Sequence, residues 1–184
     1  MSIKKRIFVL AAGMVILFTW NIFSWMVLPF HIGNLKNMPS PVPLHLTESG
    51  VYHYPGFPAG NTPQQWKQVE DKLEMGPRIT LMVYRVGPTS LFEPKLFLMT
   101  LLLDLLAVVT ILSILEKLAV RSASNIIATS LLTGLLVCFT KDFPQMIWYM
   151  FPWSYTFTEA ADVLVSFGLL GIFIAHHSSQ TRSA

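Results

Sequence analysis

The feature that most constrains this chain is a set of four long stretches that are nearly free of charge. Each is close to the roughly 20 residues that a helix needs to cross the hydrocarbon core of a bilayer. Only the second has an ionisable residue, Asp104, at its middle, where a charge costs several kcal/mol unless it is partnered. We therefore predict an all-α membrane protein with four transmembrane helices, at Ile7–Phe30, Leu96–Leu115, Ser122–Thr140 and Ser154–Ala175.

The charged residues predict how these helices are oriented. Three short polar segments, 1–6, 116–121 and 176–184, together hold six Lys or Arg and one acid, whereas 31–95 and 141–159 hold seven of each kind. The positive-inside rule then places both termini in the cytoplasm of a bacterial cell, with the protein in the inner membrane. The basic residues form no patch interleaved with aromatics, so we expect no nucleic-acid partner.

Residues 31–95 are predicted to form a small α+β extracytoplasmic cap between the first two helices, within a single membrane domain covering 1–184. Gly50–Tyr54 and Arg78–Val86 are rich in β-branched and aromatic residues and predict two strands. Thr62-Pro63-Gln64-Gln65 is a capping box that predicts a helix through about Glu74. A proline-rich loop at Pro39–Pro43 precedes these elements and is a candidate contact surface.

Asp104 is predicted to meet Asn21 of the first helix. Each lies nine residues inward from the outer end of its helix, at a depth of about 13–14 Å, so a lateral hydrogen bond is possible if the helices touch. Such a bond favours a structural role in helix packing. A transport or proton-relay role and a contact with a partner protein are the alternatives.

Two more acids, Glu159 and Asp162, lie at the outer end of the fourth helix, where the helix dipole favours negative charge. Lys95 and Lys141 should lie at a similar level, so a ring of interfacial ion pairs is the simplest interpretation. The alternative is a cation funnel that leads toward Asp104, which requires Asp162 to face the interior of the bundle.

Aromatic residues are dense in 141–159, which we interpret as a loop with an interfacial belt that anchors the protein in the membrane. A surface for a ligand or partner is the alternative interpretation. The candidates for contact with lipid or a partner are Trp25, Trp148, Trp153 and Tyr155.

The histidines on the outer side are weak candidates for a metal site. His31, His45 and His53 are spaced by 14 and 8 residues, which matches no compact ligand motif, so we expect neither a metal nor another cofactor. Motifs for phosphate binding, zinc proteases, serine hydrolases and dithiol chemistry are lacking in the sequence. We therefore expect a protein that is not an enzyme.

Three segments resemble a group of small bacterial membrane proteins of unassigned activity. In that group a Trp-x-Leu-Pro-Trp-His segment closes the first helix, and Phe30 stands here in place of its second tryptophan. The resemblance implies four helices with an outer cap and implies no activity. It rests on Phe18-x-Trp20-x4-Trp25-Met26-Val27-Leu28-Pro29-Phe30-His31, on Gly50-Val51-Tyr52-x2-Pro55, and on Phe151-Pro152 with Tyr155 before Asp162.

Three functional hypotheses follow from the sequence. The first is a non-catalytic subunit, assembly factor or scaffold of a membrane complex, whose partners are the lipid bilayer and another membrane protein or a second copy of the chain. The second is a small proton- or cation-linked transporter that uses Asp104 and Asp162. The third is a lipid- or metal-handling membrane enzyme around His31 and His53.

Overall fold

The structure, a computed structural model, describes residues 2–37, 46–87, 92–120 and 122–179. The proline-rich loop at Pro39–Pro43 and His45 lie outside the described residues. The described chain is mostly helical, with one small sheet. In chain order its elements are α1 (Ile3–Ile22), a first π-helical segment (Phe23–Val27), α2 (Pro29–Asn34), β1 (Gly50–Tyr54), α3 (Pro63–Met75), β2 (Ile79–Tyr84), α4 (Pro94–Lys117), α5 (Ala123–Val137), a second π-helical segment (Cys138–Asp142), α6 (Phe143–Tyr149) and α7 (Trp153–Ser179).

Four helical stretches are long and apolar enough to cross a membrane, as the sequence predicts. They are Ile3–Val27, Pro94–Lys117, Ala123–Tyr149 and Trp153–Ser178. The first and third are composite, because α1 continues into the first π segment and α5 continues through the second π segment into α6. The predicted number of helices of membrane-spanning length is therefore confirmed, and the helices extend beyond most of the predicted boundaries.

The prediction of a loop over 141–159 is wrong. The third helical stretch continues to Tyr149, and α7 begins at Trp153, after Met150 in the left-handed conformation. Pro144 does not stop the helix, because it follows a π turn in which the Phe143 N–H donates to the Cys138 carbonyl five residues earlier. A π turn rearranges the backbone hydrogen bonds where a proline would otherwise clash with the preceding turn.

Pro29 has the opposite effect on the first helix, which ends at Val27 rather than at the predicted Phe30. The first π segment closes with the Leu28 N–H donating to the Phe23 carbonyl at 3.1 Å, and Leu28 itself is extended. Pro29 then occupies the first turn of α2, where its missing N–H costs nothing. The chain therefore turns sharply at Leu28 and enters a new short helix.

Small residues bring the membrane-length helices close together. A Cβ added at Gly13 of α1 would lie 3.0 Å from Val108 of α4 and 3.1 Å from Leu170 of α7. A Cβ at Gly171 of α7 would lie 2.8 Å from Ser130 Cβ of α5. Close approach at small residues is how helices pack where lipid removes the hydrophobic driving force between them.

Contacts at one end of the bundle fix which helix ends lie together. Arg6 near the start of α1 forms an ion pair with Glu116 near the end of α4, at 3.4 Å. The rings of Phe8 and His177, near the end of α7, have centroids 5.3 Å apart. The start of α1 and the ends of α4 and α7 therefore share one end of the bundle.

The chain divides into two compact units, one formed by Met1–Lys36 with Leu91–Ala184 and the other by Asn37–Ser90. In the second unit, β1 pairs antiparallel with β2, with Gly50 opposite Tyr84. The predicted first strand is confirmed, and the second is shorter than predicted. The capping box at Thr62 is also confirmed, because the Thr62 side chain accepts from the Gln65 N–H and Gln65 reaches back to the Thr62 N–H.

Candidate functional site

The short helix α2 packs against the start of α7. Asn34 at its end donates to the Phe30 carbonyl at 2.8 Å and to the Thr158 hydroxyl of α7 at 3.1 Å. The turn at Leu28 and this attachment together place His31, in the middle of α2, against both α7 and the end of the first helix.

His31 is the central residue of the resulting polar cluster and is only 1% exposed. Its Nε2 lies 3.0 Å from the Oγ of Ser24, which is itself 3% exposed. Its Nδ1 lies 2.9 Å from a carboxylate oxygen of Glu159. The Trp25 indole stacks on the imidazole, with ring centroids 4.1 Å apart and planes 13° from parallel. Nε2 is therefore hydrogen-bonded and one ring face is covered, whereas Nδ1 and the nearby Glu159 oxygen lie close together without hydrogen-bond geometry and have no hydrogen-bond partner among the described residues.

Asp162 completes the cluster from the next turn of α7. One of its carboxylate oxygens accepts a hydrogen bond from the Trp20 indole N–H at 2.7 Å, and the other lies 3.8 Å from His31 Nε2. Two carboxylates thus flank one imidazole where little water is present, and charge interactions are stronger there than in solvent.

The expected ring of ion pairs with lysines does not describe these acids. Glu159 contacts His31, and Asp162 contacts Trp20 and His31. Lys141 instead lies 3.3 Å from its neighbour Asp142. Spacing along α7 places Glu159 and Asp162 within one turn of each other, but it could not identify their partners on other helices.

A pocket of about 370 Å³ adjoins this cluster between the end of the first helix, α2 and α7. Most of its wall is apolar, and its polar groups include the buried side chains of Ser24 and His31. A volume of this size and a mostly apolar wall with a few convergent polar groups are typical of small-molecule sites. The lining residues are Trp20, Ser24, Leu28, Phe30, His31, Phe157, Thr158, Ala161, Asp162 and Val165.

The hydrogen bond expected between Asn21 and Asp104 is present. Asn21 Nδ2 donates to one carboxylate oxygen of Asp104 at 3.1 Å, and Asp104 is 8% exposed. The second oxygen is buried without a hydrogen-bond partner among the described residues. Trp20 and Asn21 are consecutive, so their side chains point about 100° apart around the axis of α1. At one level, α1 therefore forms hydrogen bonds to Asp104 of α4 and to Asp162 of α7.

The remaining aromatic candidates lie mainly on the surface. Trp148 and Trp153 are both exposed, and Trp153 stacks on Phe157 with centroids 5.6 Å apart. The Tyr155 ring meets Phe151 edge-on, at 5.3 Å. Trp25 differs from these because it covers His31.

The two histidines proposed as weak metal ligands have separate surroundings. His53 belongs to the unit Asn37–Ser90, where its Nδ1 lies 3.1 Å from the Pro55 carbonyl and its ring contacts Phe57. Among the residues that the structure describes, no three His, Cys, Asp or Glu side chains are grouped as metal ligands would be.

Sequence reasoning missed Ser24 and Trp20 as members of the site. Neither carries a local signal, because a serine and a tryptophan are ordinary residues in an apolar helix. The comparisons supply no further assignment: no protein-family model, curated protein or solved structure matches this chain.

Proposed function

We propose that this chain is a multi-pass protein of the bacterial inner membrane, with both termini in the cytoplasm, that binds a membrane lipid at the outer end of its helices. The observation that carries this proposal is the pocket beside Ser24 and His31. It combines apolar walls with a buried polar end, which suits an acyl chain joined to a polar group. The basic residues of the three short polar segments support the orientation.

The surroundings of the pocket favour a lipid over a water-soluble ligand. Phe30, Phe157 and Val165 line it and are exposed at the surface of the bundle. Val165 and Phe157 belong to a helix of membrane-spanning length and composition. In a bilayer, an apolar opening at this place meets lipid acyl chains before it meets dissolved molecules.

Photo-crosslinking tests this function directly. The full chain is reconstituted in nanodiscs that contain a phosphatidylethanolamine with a diazirine in one acyl chain, and the cross-linked peptides are identified by mass spectrometry. We expect adducts on residues that line the pocket. Ala161→Trp should reduce them at least tenfold, because displacing only two methylene groups costs about 1.6 kcal/mol.

The matched control is Leu132→Trp on α5, which adds the same ring at a residue that is 63% exposed and does not line the pocket. It should leave the pocket adducts unchanged. Adducts spread evenly over the four long helices, or an equal loss in both variants, would refute specific lipid binding.

The subunit or scaffold hypothesis is the second candidate, and the exposed indoles of Trp148 and Trp153 favour it. Aromatic side chains are enriched at protein interfaces as well as at the membrane surface. If the chain is a subunit or scaffold, a stoichiometric partner should co-purify with it in a mild detergent. Replacing both tryptophans by alanine should abolish this co-purification. The carrier hypothesis, which uses Asp104 and Asp162, stays a prediction. In the structure each acid has its own hydrogen-bond donor, Asn21 for Asp104 and Trp20 for Asp162.

A further inference from the structure

We propose that Ser24, His31 and Glu159 form a nucleophile, base and acid that transfer the acyl group of a lipid ester bound in the pocket. This inference rests on the proposed lipid-binding function and adds a chemical reaction to it. Ser24 Oγ lies 3.0 Å from His31 Nε2, and His31 Nδ1 lies 2.9 Å from Glu159. A hydroxyl bonded to one imidazole nitrogen and a carboxylate bonded to the other activate serine for acyl transfer on several unrelated folds. Here the first bond is formed, and Glu159 lies within reach of Nδ1 without yet having hydrogen-bond geometry.

The location of the pair agrees with this role. Ser24 and His31 both line the pocket, so a carbonyl group bound there lies beside the hydroxyl and the imidazole. Both side chains are almost fully buried, so a reactant reaches them from the pocket that they line. Ser24 belongs to the first π segment, which ends the first helix just before the chain turns at Leu28 toward His31.

The surroundings of His31 hold its ring in one orientation. Trp25 covers one face, Ser24 is hydrogen-bonded to Nε2, and a Glu159 oxygen lies 2.9 Å from Nδ1. The nearer oxygen of Asp162 is 3.8 Å from Nε2, which is beyond hydrogen-bond distance and leaves Nε2 to Ser24. Its negative charge is still close enough to stabilise the imidazolium that forms when His31 accepts the serine proton. Trp20 holds Asp162 at this distance by binding its other oxygen.

The reaction balances with water as the second reactant. The Ser24 proton passes to His31 Nε2 while Oγ bonds to the ester carbonyl carbon. The bond from that carbon to the alcohol oxygen then breaks, and the alcohol leaves with the proton from Nε2. Water attacks the acyl-serine, gives a proton to Nε2, and releases the acid as Ser24 regains its proton. Nothing is oxidised or reduced.

A fluorophosphonate with a long alkyl chain tests the nucleophile without knowledge of the natural ester. We expect the full chain in nanodiscs to gain one adduct, mapped to Ser24 by peptide mass spectrometry. Ser24→Ala should abolish it, and His31→Gln should slow it at least about 100-fold, the usual contribution of a general base. Ser113→Ala is the matched control, because Ser113 donates to a backbone carbonyl of its own helix, α4.

Glu159 is a positioning residue in this proposal, and conservative variants test it. Glu159→Gln keeps the size of the side chain and removes its charge, so it should slow labelling while lipid cross-linking is retained. Glu159→Asp should restore part of the rate, which a purely packing role would not predict.

The two proposals fail in distinguishable ways. Protein that cross-links the photoactivatable lipid but gains no adduct on Ser24 overturns acyl transfer and leaves lipid binding intact. An adduct on Ser24 that forms at the same rate in His31→Gln also overturns it. If the unmodified chain neither cross-links the photoactivatable lipid nor gains the fluorophosphonate adduct, both proposals are refuted.

Discussion

The hydrogen bond between Asn21 and Asp104 allows a quantitative test of whether a buried acid fastens two helices. Asn21→Leu removes the one hydrogen-bond partner that Asp104 has in the described part of the chain, where its other carboxylate oxygen is buried and unpaired; Asp104 is 8% exposed. Asp104→Leu leaves the amide unpaired instead. Each single change should destabilise the bundle by about 1 kcal/mol or more, since a buried polar group left unpaired costs roughly 1–3 kcal/mol.

The double variant should lose less stability than the two single variants together, because two leucines leave no polar group unpaired. The expected coupling energy is about 0.6–1.7 kcal/mol, from the average to the largest value found for hydrogen bonds between membrane helices. The assay is reversible unfolding in mixed micelles with increasing sodium dodecyl sulfate, followed by circular dichroism. The unfolding of the two single variants and of the double variant is measured on the full chain.

The control cycle pairs Asn21→Leu with Leu106→Ala, which changes an exposed residue of α4. These two effects should add, because they share no contact. A coupling energy for Asn21 and Asp104 below about 0.3 kcal/mol, within the error of additivity, would show that the bond does not fasten the helices. The transport hypothesis for Asp104 would then gain weight.

Two further predictions concern packing and capping. Gly171→Ala should destabilise the bundle by about 1–3 kcal/mol, because its Cβ would lie 2.8 Å from Ser130 Cβ. Adding Ser130→Gly should recover most of this loss in the same unfolding assay, whereas equal stability of the single and double variants would contradict the steric argument. Thr62→Ala should cost α3 about 1 kcal/mol by removing the capping box, seen as faster amide hydrogen exchange. Thr62→Ser keeps the cap and should exchange at close to the original rate.

The membrane-length helices and the elements of the unit Asn37–Ser90 were predictable because their signals are local. A span is recognised from about 20 consecutive residues, and the strand Gly50–Tyr54 and the capping box at Thr62 each lie within a few residues. The level of Asn21 and Asp104 was also predictable, because helical rise converts residue number into depth.

The site could not be assembled in the same way. Ser24 and His31 meet because the chain turns at Leu28, and Glu159 reaches His31 from a helix more than 120 residues later in the chain. The sequence places His31 and Glu159 at one end of the bundle, but it does not state which helices are neighbours. The segment 141–159 was misjudged because its dense aromatic residues were interpreted as an interfacial loop, and only the backbone shows that a π turn lets the helix continue through Pro144 to Tyr149.

Because of the two π segments, the contacts of the residues that follow them depend on the number of residues in each segment as much as on residue identity. Each π turn holds one residue more than an α turn, and each lies directly ahead of a proline, Pro29 or Pro144. Deleting one residue from Phe23–Val27 would restore an α turn and rotate the exit of the chain at Leu28 by about 100°. His31 would then point away from Glu159 although both residues were retained. An insertion or deletion of one residue could therefore assemble or dismantle this cluster in a single genetic event.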